Sequence, residues 1–394
     1  MTAPSTMDSL PEFPWDSLAP YKEQASSYAE GLIDLSVGTP VDPTPEVVQA
    51  ALKTAADAHG YPQTWGTPAL RQCVAAWFVR RRAVPNVNPD GVLPTVGSKE
   101  LVAWLPTLLG AGPGDVVAFP ALAYPTYDVG ARLAGASTRL ISTLSDLGEM
   151  SAVATPKLLW VNSPSNPTGQ VLGIEHLAEV VRWARQHGVV VASDECYAEL
   201  DWRVDVTAQG SQLPTPGSVP SILDPRVCEG SHDGLLAVYS LSKQSNMAGY
   251  RAAFVAGDPA LVGRLLEIRK HAGMMVAWPV QQAMIAALGD DTHVAQQRAR
   301  YGIRREQLRS ALGSAGYRIE HSEAGLYLWT TAEGSTRGDG DWSLVSQMAK
   351  LGILVAPGSF YGAAGGRHMR IALSATDERI DSAVRRLEAC SQGG

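Results

Sequence analysis

Cysteine is scarce in this chain. Four residues in 394 lie far apart, at Cys73, Cys196, Cys228 and Cys390, and none forms a C-x-x-C pair. That argues against a disulfide framework and a zinc site, and fits a reducing cytoplasm. The eight histidines are equally scattered. With no H-E-x-x-H or similar spacing, each reads as a surface or capping residue, and no metal is expected. Charged residues make up only 18% and the net charge is -7. Without a basic stripe, nucleic acid is not an expected partner. No run approaches the ~20 apolar residues that span a bilayer, so no membrane partner is expected either. The N-terminus, Met1 to Asp8, has neither the basic start nor the apolar stretch of a signal peptide. It reads as a short disordered lead-in. No internal repeat or low-complexity tract is visible.

An apolar content of 45% over 394 residues allows a large core and two or three domains. From about residue 44 the chain alternates strands and helices. Strands are predicted at Gly91–Val96, Asp115–Phe119, Leu158–Val161, Val189–Ala192, Leu235–Tyr239 and Ala252–Ala256. Helices are predicted at Lys99–Leu109, Ile174–His187 and Pro259–Lys270. This alternation implies an α/β fold with a mostly parallel, doubly wound sheet. A longer helical tract runs from about Pro279 to Leu312, interrupted at Gly289-Asp290-Asp291. The pattern then changes. Tyr317–Thr330, Ile353–Pro357 and Arg370–Leu373 read as strands of a smaller α+β unit, closed by a helix at Asp377–Cys390 with an acidic first turn. The expected division is a large domain at 44–287 and a small domain made of 1–43 and 288–394. Val204–Pro225, rich in Pro, Ser and Gly, reads as a surface excursion.

The densest chemical signal follows the run Leu235–Tyr239. Ser240-Leu241-Ser242-Lys243 comes first, and Arg251 follows eight residues after the lysine. An amine held at the rim of a sheet, beside a hydroxyl and an arginine, suits a Schiff base with an aldehyde. The arginine would hold a phosphate by paired charge-assisted hydrogen bonds. An aldehyde with a phosphate describes pyridoxal 5′-phosphate (PLP). An isolated S-x-x-K would be an ordinary surface loop; further segments change that balance. Gly97-Ser98-Lys99-Glu100 follows a strand and opens a helix, where free backbone N–H groups cradle anions. Asn166, in Asn162-Ser163-Pro164-Ser165-Asn166-Pro167-Thr168-Gly169, can donate its amide to a phenolate-like oxygen. Asp194 sits at the carboxyl end of a central strand, where open sheets bind ligands. A carboxylate there can keep a pyridine nitrogen protonated, although an isolated aspartate would more often be a cap. Tyr197 can reach the ring's 3-oxygen. Tyr124 could stack on the ring or belong to the core.

Together these segments resemble the fold-type I PLP enzymes, the class I/II aminotransferases. The resemblance runs from Gly38 to Arg370 and is most specific at Asn166-Pro167-Thr168-Gly169, Asp194-x-x-Tyr197 and Ser240-x-x-Lys243 with Arg251. It implies that Lys243 carries the Schiff base and shuttles the proton. Asp194 is then the pyridine partner, Asn166 and Tyr197 the 3-oxygen ligands, and Tyr124 the stacking aromatic. Ser98, Lys99, Ser240 and Arg251 become phosphate contacts. Tyr61 resembles the tyrosine that reaches a neighbouring subunit's phosphate, which implies a homodimer with shared active sites. Arg370, with Gly38 over it and Asn166 beside it, matches the arginine that grips a substrate carboxylate. The implied substrates are amino acids and 2-oxo acids.

One departure is visible. Where the family usually offers a Ser or Thr to the partner's phosphate, this chain reads Ala272-Gly273-Met274-Met275-Val276-Ala277-Trp278-Pro279. Pro11–Leu18 and Asp34–Thr44 resemble the actinobacterial-type N-succinyl-diaminopimelate aminotransferases. On that resemblance Met274–Trp278 and the basic cluster Arg269–His271 are candidates to receive a long acylated chain. A PLP-dependent C–S lyase would share every cofactor residue, as would a transaminase of aspartate or aromatic amino acids. A PLP-sensing regulator would need a DNA-binding module ahead of Gly38, where the stretch is short and acidic or neutral.

Overall fold

The carboxyl ends of three neighbouring parallel strands define the working edge of this molecule. They are seen in a computed structural model that describes residues 10–148, 155–203, 213–332 and 340–392. The lead-in expected at Met1–Asp8 lies outside the described residues. In chain order the strands are β1 (Ile33–Asp34), β2 (Val92–Val96), β3 (Val116–Pro120), β4 (Ser137–Ile141), β5 (Leu158–Asn162), β6 (Val190–Asp194), β7 (Leu235–Ser240), β8 (Ala252–Gly257), β9 (Tyr317–Glu320), β10 (Tyr327–Ala332), β11 (Ile353–Leu354), β12 (Ala356–Pro357) and β13 (Met369–Ala372).

The large sheet has the order β2-β8-β7-β6-β5-β3-β4. Strands β4, β3, β5, β6 and β7 run parallel, and β8 pairs antiparallel with both β7 and β2, so β8 alone runs against the others. β5, β7 and β8 are buried at every position, as continuous apolar strands covered on both faces should be. Register fixes the site. Asn162 pairs with Asp194 and Asp194 with Val238, so Asn162, Asp194 and Ser240 emerge on one edge.

Helix Ile174–His187 has the predicted bounds and ends at Gly188 in the left-handed region. The tract from 279 to 312 resolves into helices Trp278–Gly289 and Thr292–Ser314. Tyr317–Thr330 is not one strand. It divides into antiparallel β9 and β10, because His321 and Ser322 take positive φ of 58° and 68°, which no strand accommodates. β10, β13 and β12 continue that small sheet. β1 pairs in parallel with β11, and Leu18, Ile33 and Leu35 are buried in the small unit's core. Leu18 and residues 33–35 therefore pack on the carboxyl-terminal unit.

Helix Pro68–Arg82 lies outside the predicted elements. Thr67 caps it, its hydroxyl accepting from Leu70 N at 3.1 Å. Its last turn buries Arg81 and Arg82, which donate to Glu199 (2.8 Å) and Glu195 (3.0 Å). Removing one partner of such a buried pair costs about 3–5 kcal/mol. The expected excursion Val204–Pro225 needs correction. Residues 204–212 lie outside the described residues, but Val219, Ser221, Ile222 and Leu223 are fully buried. Ser221 Oγ and Ile222 N both donate to Glu195, so this stretch closes over the back of β6. His293 also departs from expectation. It is buried, with one ring nitrogen 2.8 Å from Asp290 and the other 2.8 Å from Ser245 Oγ, and so steadies the loop after Lys243.

Candidate active site

The strand edge opens into a cavity of about 670 Å³, within the range of small-molecule sites. Lys243 lies on a short helix, Leu241–Gln244, started by Ser240, whose hydroxyl accepts from Ser242 N. Its Nζ donates to Gly38 O. Burial lowers its pKa, so the neutral, nucleophilic amine is easier to reach than on a surface lysine.

Asp194 is 7% exposed. Its carboxylate accepts from Tyr127 Oη at 3.1 Å and from Cys196 N at 3.2 Å. Burial raises its pKa, and among the described residues no cation pairs with it. A buried carboxylate without a counter-ion is costly, and a protonated pyridine nitrogen would supply one. Tyr127 itself stacks on Trp160 at 4.9 Å, which fixes the hydroxyl's aim. Asn166 Oδ1 accepts from Arg370 Nη1 at 3.0 Å, leaving the amide nitrogen to donate to another acceptor.

Anion chemistry gathers at the other end. Gly97 has a φ of 82° before helix Ser98–Leu108, and a Cβ there would overlap Arg251 Nη2. Only glycine lets the guanidinium lie against the helix start. Ser98, Ser240 and Ser242 line the same end of the cavity. A helix N-terminus, hydroxyls and an arginine fit a phosphate. The residues present thus match PLP at both ends, pyridine nitrogen and phosphate.

Arg370 is 3% exposed, lies in β13, and donates through Nη2 to Ser36 O at 2.7 Å. Its guanidinium is held 3.8 Å from the Tyr327 ring centroid and 4.8 Å from that of Tyr361. Tyr124 forms a side wall, edge-on to Tyr127, and burial pushes its phenol up to about 12. Lys99 lies at the mouth with its amine 5.5 Å from the Phe13 ring centroid.

Of the residues singled out from sequence, Gly38, Ser98, Lys99, Tyr124, Asn166, Asp194, Tyr197, Ser240, Lys243, Arg251 and Arg370 all line this cavity. Tyr61 does not. It is 98% exposed in the single chain. Of the candidates for a distal pocket, Arg269 is corrected. None of residues 269–278 lines the cavity, and Arg269 is fully buried in a bidentate pair with Glu100. The mouth is walled instead by Phe13, Pro14, Trp15 and Val37. Sequence reading missed Tyr127, Cys196 and Tyr327. Tyr127 stood in the segment chosen for Tyr124, and Cys196 stood between Asp194 and Tyr197. Tyr327 carried no signal beyond an aromatic in a strand. Among the described residues no group of His, Cys, Asp and Glu could hold a metal, and no helix is long and apolar enough to cross a membrane.

Known proteins agree with this geometry. The family model for aminotransferase class I and II matches residues 30–387. The chain is 56% identical over 381 residues to 4-dedimethylamino-4-oxo-anhydrotetracycline transaminase OxyQ of Streptomyces rimosus, covering 97% of this chain and 100% of the relative. It is 54% identical to the protein named "Probable aminotransferase Rv1178" of Mycobacterium tuberculosis, covering 96% and 85%. Among solved structures, a probable N-succinyldiaminopimelate aminotransferase from Thermus thermophilus superposes with a TM-score of 0.81 at 27% identity, covering 96% and 100%. The sheet order, the cavity and these likenesses make the chain a PLP-dependent transaminase of fold type I, a member of the class I and II aminotransferase family.

Proposed function

We propose that this enzyme moves an amino group between glutamate and N-succinyl-2-amino-6-oxopimelate, giving N-succinyl-LL-diaminopimelate in the cytoplasm. The observation that carries the reading is the meeting of the Lys243 amine and the Arg370 fork in one cavity whose mouth extends to Phe13 and Trp15. That shape leaves room for a long acylated side chain beyond the cofactor. The likeness to the Thermus structure supports the same substrate class. A second reading rests on the 56% identity to OxyQ, which favours a bulky polycyclic ketone as acceptor. An aromatic mouth would suit that substrate as well.

When bound, PLP supplies an aldehyde that takes up amines and a ring that draws electron density from the adjoining carbon. Lys243 would hold it covalently and would move the proton at the substrate Cα. Asp194 holds the pyridine nitrogen protonated. Asn166 and Tyr197 donate to the 3-oxygen. Ser98, Lys99, Ser240 and Arg251 hold the phosphate. Tyr124 would stack on the ring. Arg370 takes the α-carboxylate in two parallel hydrogen bonds and turns the Cα–H bond toward Lys243. Gly38 closes over that end.

A panel of N-succinyl-diaminopimelate, aspartate, aromatic amino acids, glutamate and polycyclic ketones tests the substrate. N-succinyl-diaminopimelate is expected to give the highest kcat/KM after glutamate. If an aromatic or polycyclic substrate wins, the proposed substrate fails and the transaminase class survives. On the same panel Arg370→Lys is expected to lower kcat/KM for every amino acid by a similar factor, about 10²-fold. Every donor shares the carboxylate, and a lysine cannot reproduce the fork.

We also propose a homodimer in which Tyr61 crosses to the partner's phosphate. The full exposure of its ring in one chain supports this. Tyr61→Phe is expected to weaken PLP binding by about 1–2 kcal/mol, the scale of one hydrogen bond to a charged group. At PLP below saturation, mixing Tyr61→Phe with Lys243→Ala protein should regain activity above the sum of the parents, because hybrid dimers hold one intact site. A fully active monomer at all assay concentrations would refute shared sites.

A further inference from the structure

Tyr327 stands where three parts of the site meet. It opens β10 opposite Ala372 of β13 and is 6% exposed. Its hydroxyl lies 3.2 Å from the Tyr197 hydroxyl, and the two rings meet edge-on at 5.7 Å. The Arg370 guanidinium lies over its ring, 3.8 Å from the centroid. A Cβ at Gly38 would overlap the Tyr327 hydroxyl, so the loop that accepts from Lys243 rests on this same phenol. One side chain therefore touches the expected 3-oxygen donor, the carboxylate fork and the loop beside the reactive amine.

The titratable groups around Tyr327 are Tyr197, Arg370, Lys243, Tyr124, Tyr301 and Tyr361. Burial pushes the Tyr327 phenol up, but the charges of Arg370 and Lys243 outweigh it and leave the phenol below its ordinary value. Burial and the neighbouring Tyr327 push Tyr197 well above its own. Either hydroxyl of the pair could be the donor. A Tyr197 hydroxyl that accepts from Tyr327 keeps its own proton for an acceptor in the cavity.

We infer that Tyr327 is a positioning residue of the transamination site: its hydroxyl donates to Tyr197 and aims that residue's proton into the cavity, while its ring braces the Arg370 guanidinium. The inference rests on the cofactor orientation proposed above. The two tasks separate by mutation. Tyr327→Phe keeps the ring and loses the donor. Tyr327→Leu loses both.

The test is the pH titration of the visible absorbance of PLP-loaded protein, together with KM for glutamate at saturating PLP. A less well stabilised 3-oxygen anion holds the neighbouring proton more tightly. The spectral midpoint of Tyr327→Phe is therefore expected to rise by about half a pH unit, the scale of weakening one cooperative hydrogen bond. KM should stay within about two-fold of wild type in Tyr327→Phe and rise about ten-fold in Tyr327→Leu, where a desolvated cation–π contact is lost. In the double variant Tyr197→Phe/Tyr327→Phe, the midpoint should equal that of Tyr197→Phe alone, because the effect runs through Tyr197. An unmoved midpoint in Tyr327→Phe, or a shift that adds fully in the double variant, would overturn the hydroxyl's role. Equal KM values for the Phe and Leu variants would overturn the ring's role. Should Tyr327→Leu fail to fold, the conservative Phe cycle still decides the hydroxyl. Wild-type protein that takes up PLP without this pH-dependent absorbance would overturn the cofactor orientation, and this inference with it.

Discussion

Replacing Lys243 with alanine is expected to abolish turnover and the visible absorbance of covalently held PLP. A surface lysine has a pKa of ~10.4 and is a poor nucleophile at neutral pH. Here burial lowers that value, and the amine is aimed across the cavity at Gly38 O. Two functions fall on one nitrogen, covalent attachment and proton transfer. General acid–base help alone is worth about 10²–10⁴-fold, so a loss of at least ~10⁴-fold is expected once attachment goes too. PLP should still bind by its phosphate, since Arg251 and the start of helix Ser98–Leu108 are untouched. Equilibrium dialysis would show retained cofactor and steady-state assay no product. Substantial transamination by Lys243→Ala would refute the assignment.

Asp194→Ala is expected to slow Cα proton removal by about 10²–10³-fold, the scale of losing a preorganised electrostatic partner. The argument is one of unpaired charge. Asp194 is held by Tyr127 and by the backbone of Cys196, and it has no cation among the described residues. A ligand cation would make that burial favourable. Deuterium exchange at Cα of glutamate, measured at saturating PLP, isolates the step. If excess PLP restored the normal exchange rate, Asp194 would be a packing residue. Asp194→Asn should lie nearer to Ala than to wild type, because the amide keeps shape and loses charge.

Much of this architecture was legible because its strands are buried on both faces. Val189–Ala192 is a β-branched run, and β6 occupies Val190–Asp194. Leu235–Tyr239 behaves likewise. The site motifs were legible because they sit at the ends of those runs, where register brings them together. Some of what escaped had a weak or masked pattern. β4 is an edge strand with four exposed positions and one half-buried, so it lacks alternation. Helix Pro68–Arg82 hides its inward face behind Arg71, Arg81 and Arg82, which are buried only because Asp90, Glu199 and Glu195 meet them. Periodicity reads those arginines as solvent-facing. Arg269 misled in the same way. A basic helix end suggested a substrate contact, and its charge is spent on Glu100. Tyr327 depends on a pairing 130 residues away, which no local window contains.

The central claim is that this site exchanges an amino group and does not cleave its substrate. Mixing PLP-loaded protein with glutamate alone tests it most directly, with 2-oxoglutarate and ammonia measured over time. The account predicts a stoichiometric burst of 2-oxoglutarate, no ammonia, and a halt that is relieved only when a 2-oxo acid is added. Continued turnover without an acceptor, with ammonia released, would contradict it.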